Sequence, residues 1–168
     1  EWIGEKLNPG EKLFIASEQG LGDTIQFMRY IPYLRKKGIK VSFCAQTKLH
    51  KLIKESGISN NPLPPKNEKF NFDGKWAPLL SLPKYLNVDS SNPVVKSPYL
   101  KINKDRISYW KNIFSNEKKP IIAINWQGKL STEENNHILK GRSMPLEFFS
   151  TLTCIDNFKF LSLQHGYG

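Results

Sequence analysis

Short unbroken apolar runs alternate along the chain with stretches where apolar residues recur every three or four positions. The first run, Leu13-Phe14-Ile15-Ala16 closed by Ser17, has the length and composition of a buried strand. From Thr24 onward, Ile25, Met28, Ile31 and Leu34 step along one helix face, widened by Phe27 and Tyr30. Pro32 lies inside that helix and predicts a kink or a lost backbone hydrogen bond. Lys36-Lys37-Gly38 closes it with cations in the last turn and then a glycine. Lys40-Val41-Ser42-Phe43-Cys44-Ala45 reads as the next strand, and a helix over 48–55 runs to Gly57.

Strand, helix, strand, helix with short connections predicts parallel strands joined by crossovers. Residues 60–69 and 89–98 are loops by composition. Between them Phe70-Asn71-Phe72-Asp73 alternates weakly and Leu79-Leu80-Ser81-Leu82 is a small apolar run. Residues 105–114 form a helix with Ile107, Trp110, Ile113 and Phe114 on one face. Pro120 to Trp126 is the clearest strand. A long, polar, mobile loop over 127–141 follows it. Then come a helix from Pro145 to Thr153, with Leu146, Phe149 and Leu152 facing inward, and a last strand from Phe158 to Leu163. The strand–helix–strand rhythm starts afresh near residue 120. The expected organisation is a first domain over 1–117 and a second, cut short, over 118–168.

The 168 residues suffice for one well-cored domain, or one and a fraction. Glu1 is not a methionine and Gly168 lies just beyond an apolar run, so an excised piece of a longer protein is expected. A hydrophobic fraction of 39% fits an ordinary soluble chain, and no apolar stretch reaches membrane-spanning length. The net charge of +10 favours anionic partners, nucleic acid, a phosphate-rich sugar donor or an acidic membrane surface, although a solvated, lysine-rich surface with no specific partner accounts for it better than any one of them. The lysines are scattered, with no dense basic run interleaved with aromatics, so nucleic acid is not expected. Cys44 and Cys154 are far apart and unpatterned, which predicts buried free thiols in a reducing compartment. His50, His137 and His165 show no ligand spacing, so no metal site is expected; His50 is assigned to the surface. The tryptophans read as packing residues, with Trp126 alone placed where it also meets a ligand.

Two strand-to-helix junctions carry the candidate chemistry, because ligands of open α/β sheets bind at the carboxyl ends of strands. The first is Gly20-Leu21-Gly22-Asp23. Its glycines permit a sharp turn and a close ligand, while Asp23 suits either a helix cap or a base facing a cleft. It lacks the third glycine of a dinucleotide fingerprint and the Lys-Ser/Thr of a phosphate-binding loop. Residue types and spacing leave cap and base open. The second junction joins Trp126-Gln127-Gly128 to Lys140-Gly141-Arg142-Ser143. Backbone amides there, with Lys140 or Arg142, suit a diphosphate; a solvated surface loop is the alternative.

Glu18-Gln19-Gly20-Leu21-Gly22-Asp23-Thr24-Ile25-Gln26-Phe27 with Arg29-Tyr30-Ile31-Pro32 resembles the glycosyltransferase-like domain that follows tetratricopeptide repeats in bacteria. Leu79-Leu80-Ser81-Leu82-Pro83, Pro98-Tyr99-Leu100, Arg142-Ser143-Met144-Pro145-Leu146 and Ser162-Leu163-Gln164 follow in the order of that family, which is similar to the heptosyltransferases. The resemblance spans about residues 2–168. It implies an α/β, Rossmann-like parallel sheet flanked by helices: the N-terminal half of a GT-B fold plus the start of its second domain. It also implies an inverting, metal-independent transfer of sugar from a nucleotide-diphosphate donor, without cofactor, to a glycan, lipid-linked or protein acceptor. Asp23 takes the position of the general base, with Gln19, Gly20, Gly22 and Gln26 around the acceptor. Arg142 takes the position of the donor-diphosphate contact, beside Gln127, Gly128 and Ser143. The implied location is the bacterial cytoplasm, at the inner membrane's surface; separately, the incomplete second domain is expected to leave an apolar patch that pairing with another copy would cover. The loop over 128–141 departs from the family in lacking its Asn- and Arg-rich run, and most of the nucleotide half is missing. A non-catalytic α/β binding module beside a repeat array is the alternative.

Overall fold

The computed structural model describes residues 1–65, 71–94, 98–128 and 143–165. It is a mixed α/β structure whose contacts divide it into two units, Glu1–Ser108 and Tyr109–Gly168.

The first unit holds a parallel sheet of three strands, β1 (Lys12–Ala16), β2 (Lys40–Cys44) and β3 (Lys75–Pro78), in the order β2-β1-β3. Leu13 pairs with Val41 and Lys75, and Ile15 with Phe43 and Ala77. Side chains alternate across a pleated strand, so Leu13, Ile15, Val41, Phe43 and Ala77 share one face. That face is the core: Leu13, Ile15, Phe43 and Ala77 are fully buried together with Met28, Ile31, Ile53 and Leu82. β3 went unrecognised in the sequence because its four residues, Lys-Trp-Ala-Pro, are too few and too mixed for a periodic signal. The apolar run after it forms a 3-10 turn, Leu79–Ser81, that leads into helix α4 (Leu82–Tyr85).

The helix expected from Thr24 is two helices, α1 (Leu21–Phe27) and α2 (Tyr30–Lys36). Pro32 has no N–H for the Met28 carbonyl, which accepts the Ile31 amide instead at 3.1 Å, so the chain tightens and restarts. The close of α2 follows expectation: Gly38 has φ +83°, and its amide bonds the Arg35 carbonyl at 2.9 Å. Helix α3 (His50–Glu55) is preceded by a 3-10 turn over Thr47–Leu49. His50 is not a free surface side chain: it is partly buried, with Nε2 2.9 Å from the Ala45 carbonyl.

The sheet's other face carries Phe14, Ala16, Cys44 and Trp76, which line a cavity of about 490 Å³ together with Leu63 and Phe72. Trp76 is 46% exposed and Trp110 52%, against the packing role assigned to them. Cys44 is buried as expected, but Cys154 is exposed.

Helix α5 (Lys104–Ile113) crosses the division between the units. The second unit is a two-stranded parallel sheet, β4 (Ile121–Ile124) and β5 (Lys159–Ser162). Its connection includes a 3-10 turn, Leu146–Phe149, and helix α6 (Ser150–Thr153). The expected single helix from Pro145 is thus split, and Pro145 is its N-cap. No described residue of this unit is buried; Leu146 and Leu152, expected to face inward, are 47% and 48% exposed. The expected loop over 127–141 lies outside the described residues from 129 onward, as do His137, Lys140 and Arg142.

Candidate functional site

The carboxyl ends of β1, β2 and β3 lie side by side, and the residues just beyond them hold the β1–α1 turn. Gln46, two residues past β2, contributes three bonds. Its Oε1 accepts from the Thr24 hydroxyl at 2.9 Å and from the Ser17 hydroxyl at 3.3 Å, and its Nε2 donates to the Gln19 carbonyl at 2.7 Å. Glu18 reaches the other way and accepts the Leu79 amide just after β3, at 3.1 Å. A turn fastened to both neighbouring strands is held in one conformation.

Within that turn, Gly20 is the N-cap of α1, and Asp23 Oδ2 accepts the Gly20 amide at 3.0 Å. Asp23 is therefore a cap, fixing the first turn by the reach-back bond of a capping box. Its other carboxylate oxygen, Oδ1, has no hydrogen bond among the described residues, and the side chain is part-exposed. The cap orients the carboxylate without using all of it.

The glycines are not there for a left-handed backbone. Gly20 is extended at φ −67°, and Gly22 lies in α1. A side chain at Gly20 would crowd the cap, since a Cβ there sits 3.1 Å from Asp23 Oδ2. At Gly22 nothing lies within 4 Å, so the surface beside Asp23 is open. Gln26 follows Gly22 by four and Asp23 by three, hence on the same helix face. The side chains of Gln19 and Gln26 are exposed and make no hydrogen bond among the described residues. Gly20, Gly22, Asp23, Gln19 and Gln26 are thus neighbours around one turn.

The end of α1 is secured from outside. The Tyr99 hydroxyl donates to the Ile25 carbonyl, and the Arg29 guanidinium lies over the Tyr99 ring, 4.9 Å from its centroid.

The second unit repeats the device. Gln164, two residues past β5, accepts the Gln127 amide at 3.0 Å and the Trp126 amide at 3.4 Å on its Oε1. Ser143 Oγ accepts the Gly128 amide at 2.9 Å, and the Met144 amide bonds the Trp126 carbonyl at 2.9 Å. Gln127, Gly128 and Ser143 therefore meet at the carboxyl ends of β4 and β5. The amides expected to receive a diphosphate already carry side-chain partners, which a diphosphate would displace. Arg142 lies outside the described residues.

The site residues that sequence reasoning did not assign are Glu18, Thr24, Gln46 and Gln164. For Glu18, Gln46 and Gln164 the signal was position: a polar residue two places past a strand of a parallel sheet points to where ligands and turns gather, whereas Thr24, inside α1, carried none. Among the described residues no cluster of His, Cys, Asp and Glu is placed to hold a metal ion, and no helix is long and apolar enough to cross a membrane. Compared with protein-family models, curated proteins and solved structures, the chain matches none.

Proposed function

We propose that this chain is part of an inverting glycosyltransferase, in which the β1–α1 turn receives the acceptor and the ends of β4 and β5 receive the donor diphosphate. The observation that carries the reading is the Asp23 carboxylate. It is oriented by one oxygen through the Gly20 amide, its other oxygen has no hydrogen bond among the described residues, and it lies beside the open surface at Gly22. In the reaction, an acceptor hydroxyl oxygen forms the bond to the anomeric carbon of the donor sugar. The bond from that carbon to the diphosphate oxygen breaks, and the nucleoside diphosphate leaves with the electron pair. The hydroxyl proton passes to Asp23 Oδ1. Attack from the side opposite the leaving group inverts the anomeric centre. The exposed amides of Gln19 and Gln26 supply donors and acceptors for the other hydroxyls of an acceptor sugar. The reading places the protein in the bacterial cytoplasm, next to a repeat array. In it, the two strands of the second unit are the start of a larger nucleotide-binding domain, a surface available for self-association.

One observation favours a second reading, a binding module without catalysis. Asp23 already serves as a cap, and the amides of Gln127 and Gly128 are already bonded. The full-length protein separates the two readings. Incubated with a panel of nucleotide-diphosphate sugars and acceptor glycans, a transferase releases nucleoside diphosphate in step with an inverted glycosidic product. Binding of glycan with no release from any donor establishes the binding module.

A further inference from the structure

Arg35, in the last turn of α2, is a cation held by neutral acceptors with no anion among the described residues. Its guanidinium is half-buried and donates to the Ile58 carbonyl, to the Val41 carbonyl at 2.9 Å and to Ser59 Oγ at 3.4 Å. All three acceptors are neutral, and Arg35 makes no ion pair among the described residues. Exposed Lys12 and part-exposed Lys75, by contrast, face carboxylates, Asp73 for the one and Glu5 and Glu11 for the other. Removing a cation from water without a counter-charge is unfavourable, and burial lowers the Arg35 pKa accordingly.

Arg35 lines a cavity of about 490 Å³ at the outer edge of β2, shared with Ser42, Gly57, Ser59, Asn60 and Asn61. A guanidinium has five N–H groups, and the bonds above use three. The Ser42 hydroxyl and the Asn60 and Asn61 carboxamides make no hydrogen bond among the described residues, and no acidic side chain lines the cavity. A part-desolvated cation surrounded by unused neutral donors is the recognition chemistry of an oxyanion. We propose that this cavity binds a small oxyanion, a phosphate or a carboxylate group, through the fork of Arg35 and the side chains of Ser42, Asn60 and Asn61. The site is built from other residues than the β1–α1 turn and stands whether or not sugar transfer does.

The test is a nitrogen-15 NMR titration of the full chain with inorganic phosphate and, separately, with acetate, at ionic strength held constant with sodium chloride. Saturating shifts are expected at Arg35 Nε–H, at the Asn60 and Asn61 carboxamides and at the amides of 57–61, with none at Gly20–Thr24. The anion that saturates at the lower concentration names the class. Arg35 also ties Ile58 to Val41, so removing it risks the fold. Asn61→Asp instead sets a carboxylate in the cavity, leaves those ties intact, and is expected to weaken binding by about tenfold or more through like-charge repulsion. The proposal is overturned if neither anion gives saturating shifts at these signals, or if Asn61→Asp binds as tightly as the unsubstituted chain.

Discussion

Asp23 and Gln46 divide the work at the turn: one caps the helix and the other clamps the loop to the next strand. Gln46→Ala removes the acceptor shared by the Thr24 and Ser17 hydroxyls and the donor to the Gln19 carbonyl at once, leaving Thr24 only the Gly20 carbonyl at 3.3 Å. A hydrogen bond contributes about 0.5–1.5 kcal/mol net where water or another acceptor can replace the lost partner, so the unfolding free energy should fall by about 1 kcal/mol in denaturant titration. Gly22→Ala acts the other way. Alanine is better than glycine in a helix by up to about 1 kcal/mol, and the site has room for the methyl group. The variant should be no less stable than the parent and, if the turn receives an acceptor as proposed, should bind acceptor glycan more weakly, as calorimetry can measure. The two thiols differ as well. Burial raises the Cys44 pKa and keeps it protonated, whereas Cys154 is exposed. A thiol reagent at neutral pH should modify Cys154 quickly and Cys44 only on unfolding, and Cys154→Ser should abolish the fast phase.

At the scale of elements, β3 is tied to the chain before β1 by charge. Lys75 Nζ lies 3.3 Å from Glu5 and 3.4 Å from Glu11. The Ile3 amide first, then Glu5's own amide and Lys75, hold Glu5 below its ordinary pKa of 4.5; the Asn8 amide first, and then Lys75, do the same for Glu11. Carboxylates with depressed folded values stabilise the fold above their ordinary pKa and lose that contribution as pH falls through the folded value. The melting temperature of the first unit should therefore drop between about pH 5 and pH 3, and Lys75→Met should flatten that drop. How well each element could be read from sequence followed the strength of its pattern. β1, β2, β4 and β5 are apolar runs between turns, and α3 and α5 are periodic, so their ends fall within a few residues of expectation. Four mixed residues hid β3. Pro32 announced a kink, but whether the chain bends or restarts depends on which amide takes the Met28 carbonyl. At the site, the junctions were legible because strand ends and glycines mark them. The clamps were not, because Gln46 and Gln164 act on residues 22 to 38 positions away in sequence.

For the molecule as a whole, the two units differ in what holds them. The first buries a continuous core under its sheet, whereas no described residue of the second is buried. Two parallel strands without a core are marginal in water. Amides of Ile121–Ile124 should thus exchange with deuterium about 100-fold faster or more than those of Leu13–Ile15, as mass spectrometry can follow. In the full-length protein, Asp23→Asn separates the cap that Asp23 forms from the base proposed for it. Asparagine keeps an oxygen for the Gly20 amide but cannot take a proton from a hydroxyl. The direct measurement is single-turnover sugar transfer by Asp23→Asn and by the unsubstituted protein, with thermal unfolding recorded on the same samples. If Asp23 is the base, the variant's melting temperature stays within about 2 °C of the parent and transfer slows by about 100-fold or more. Transfer at the parent's rate in an equally stable variant would contradict that role.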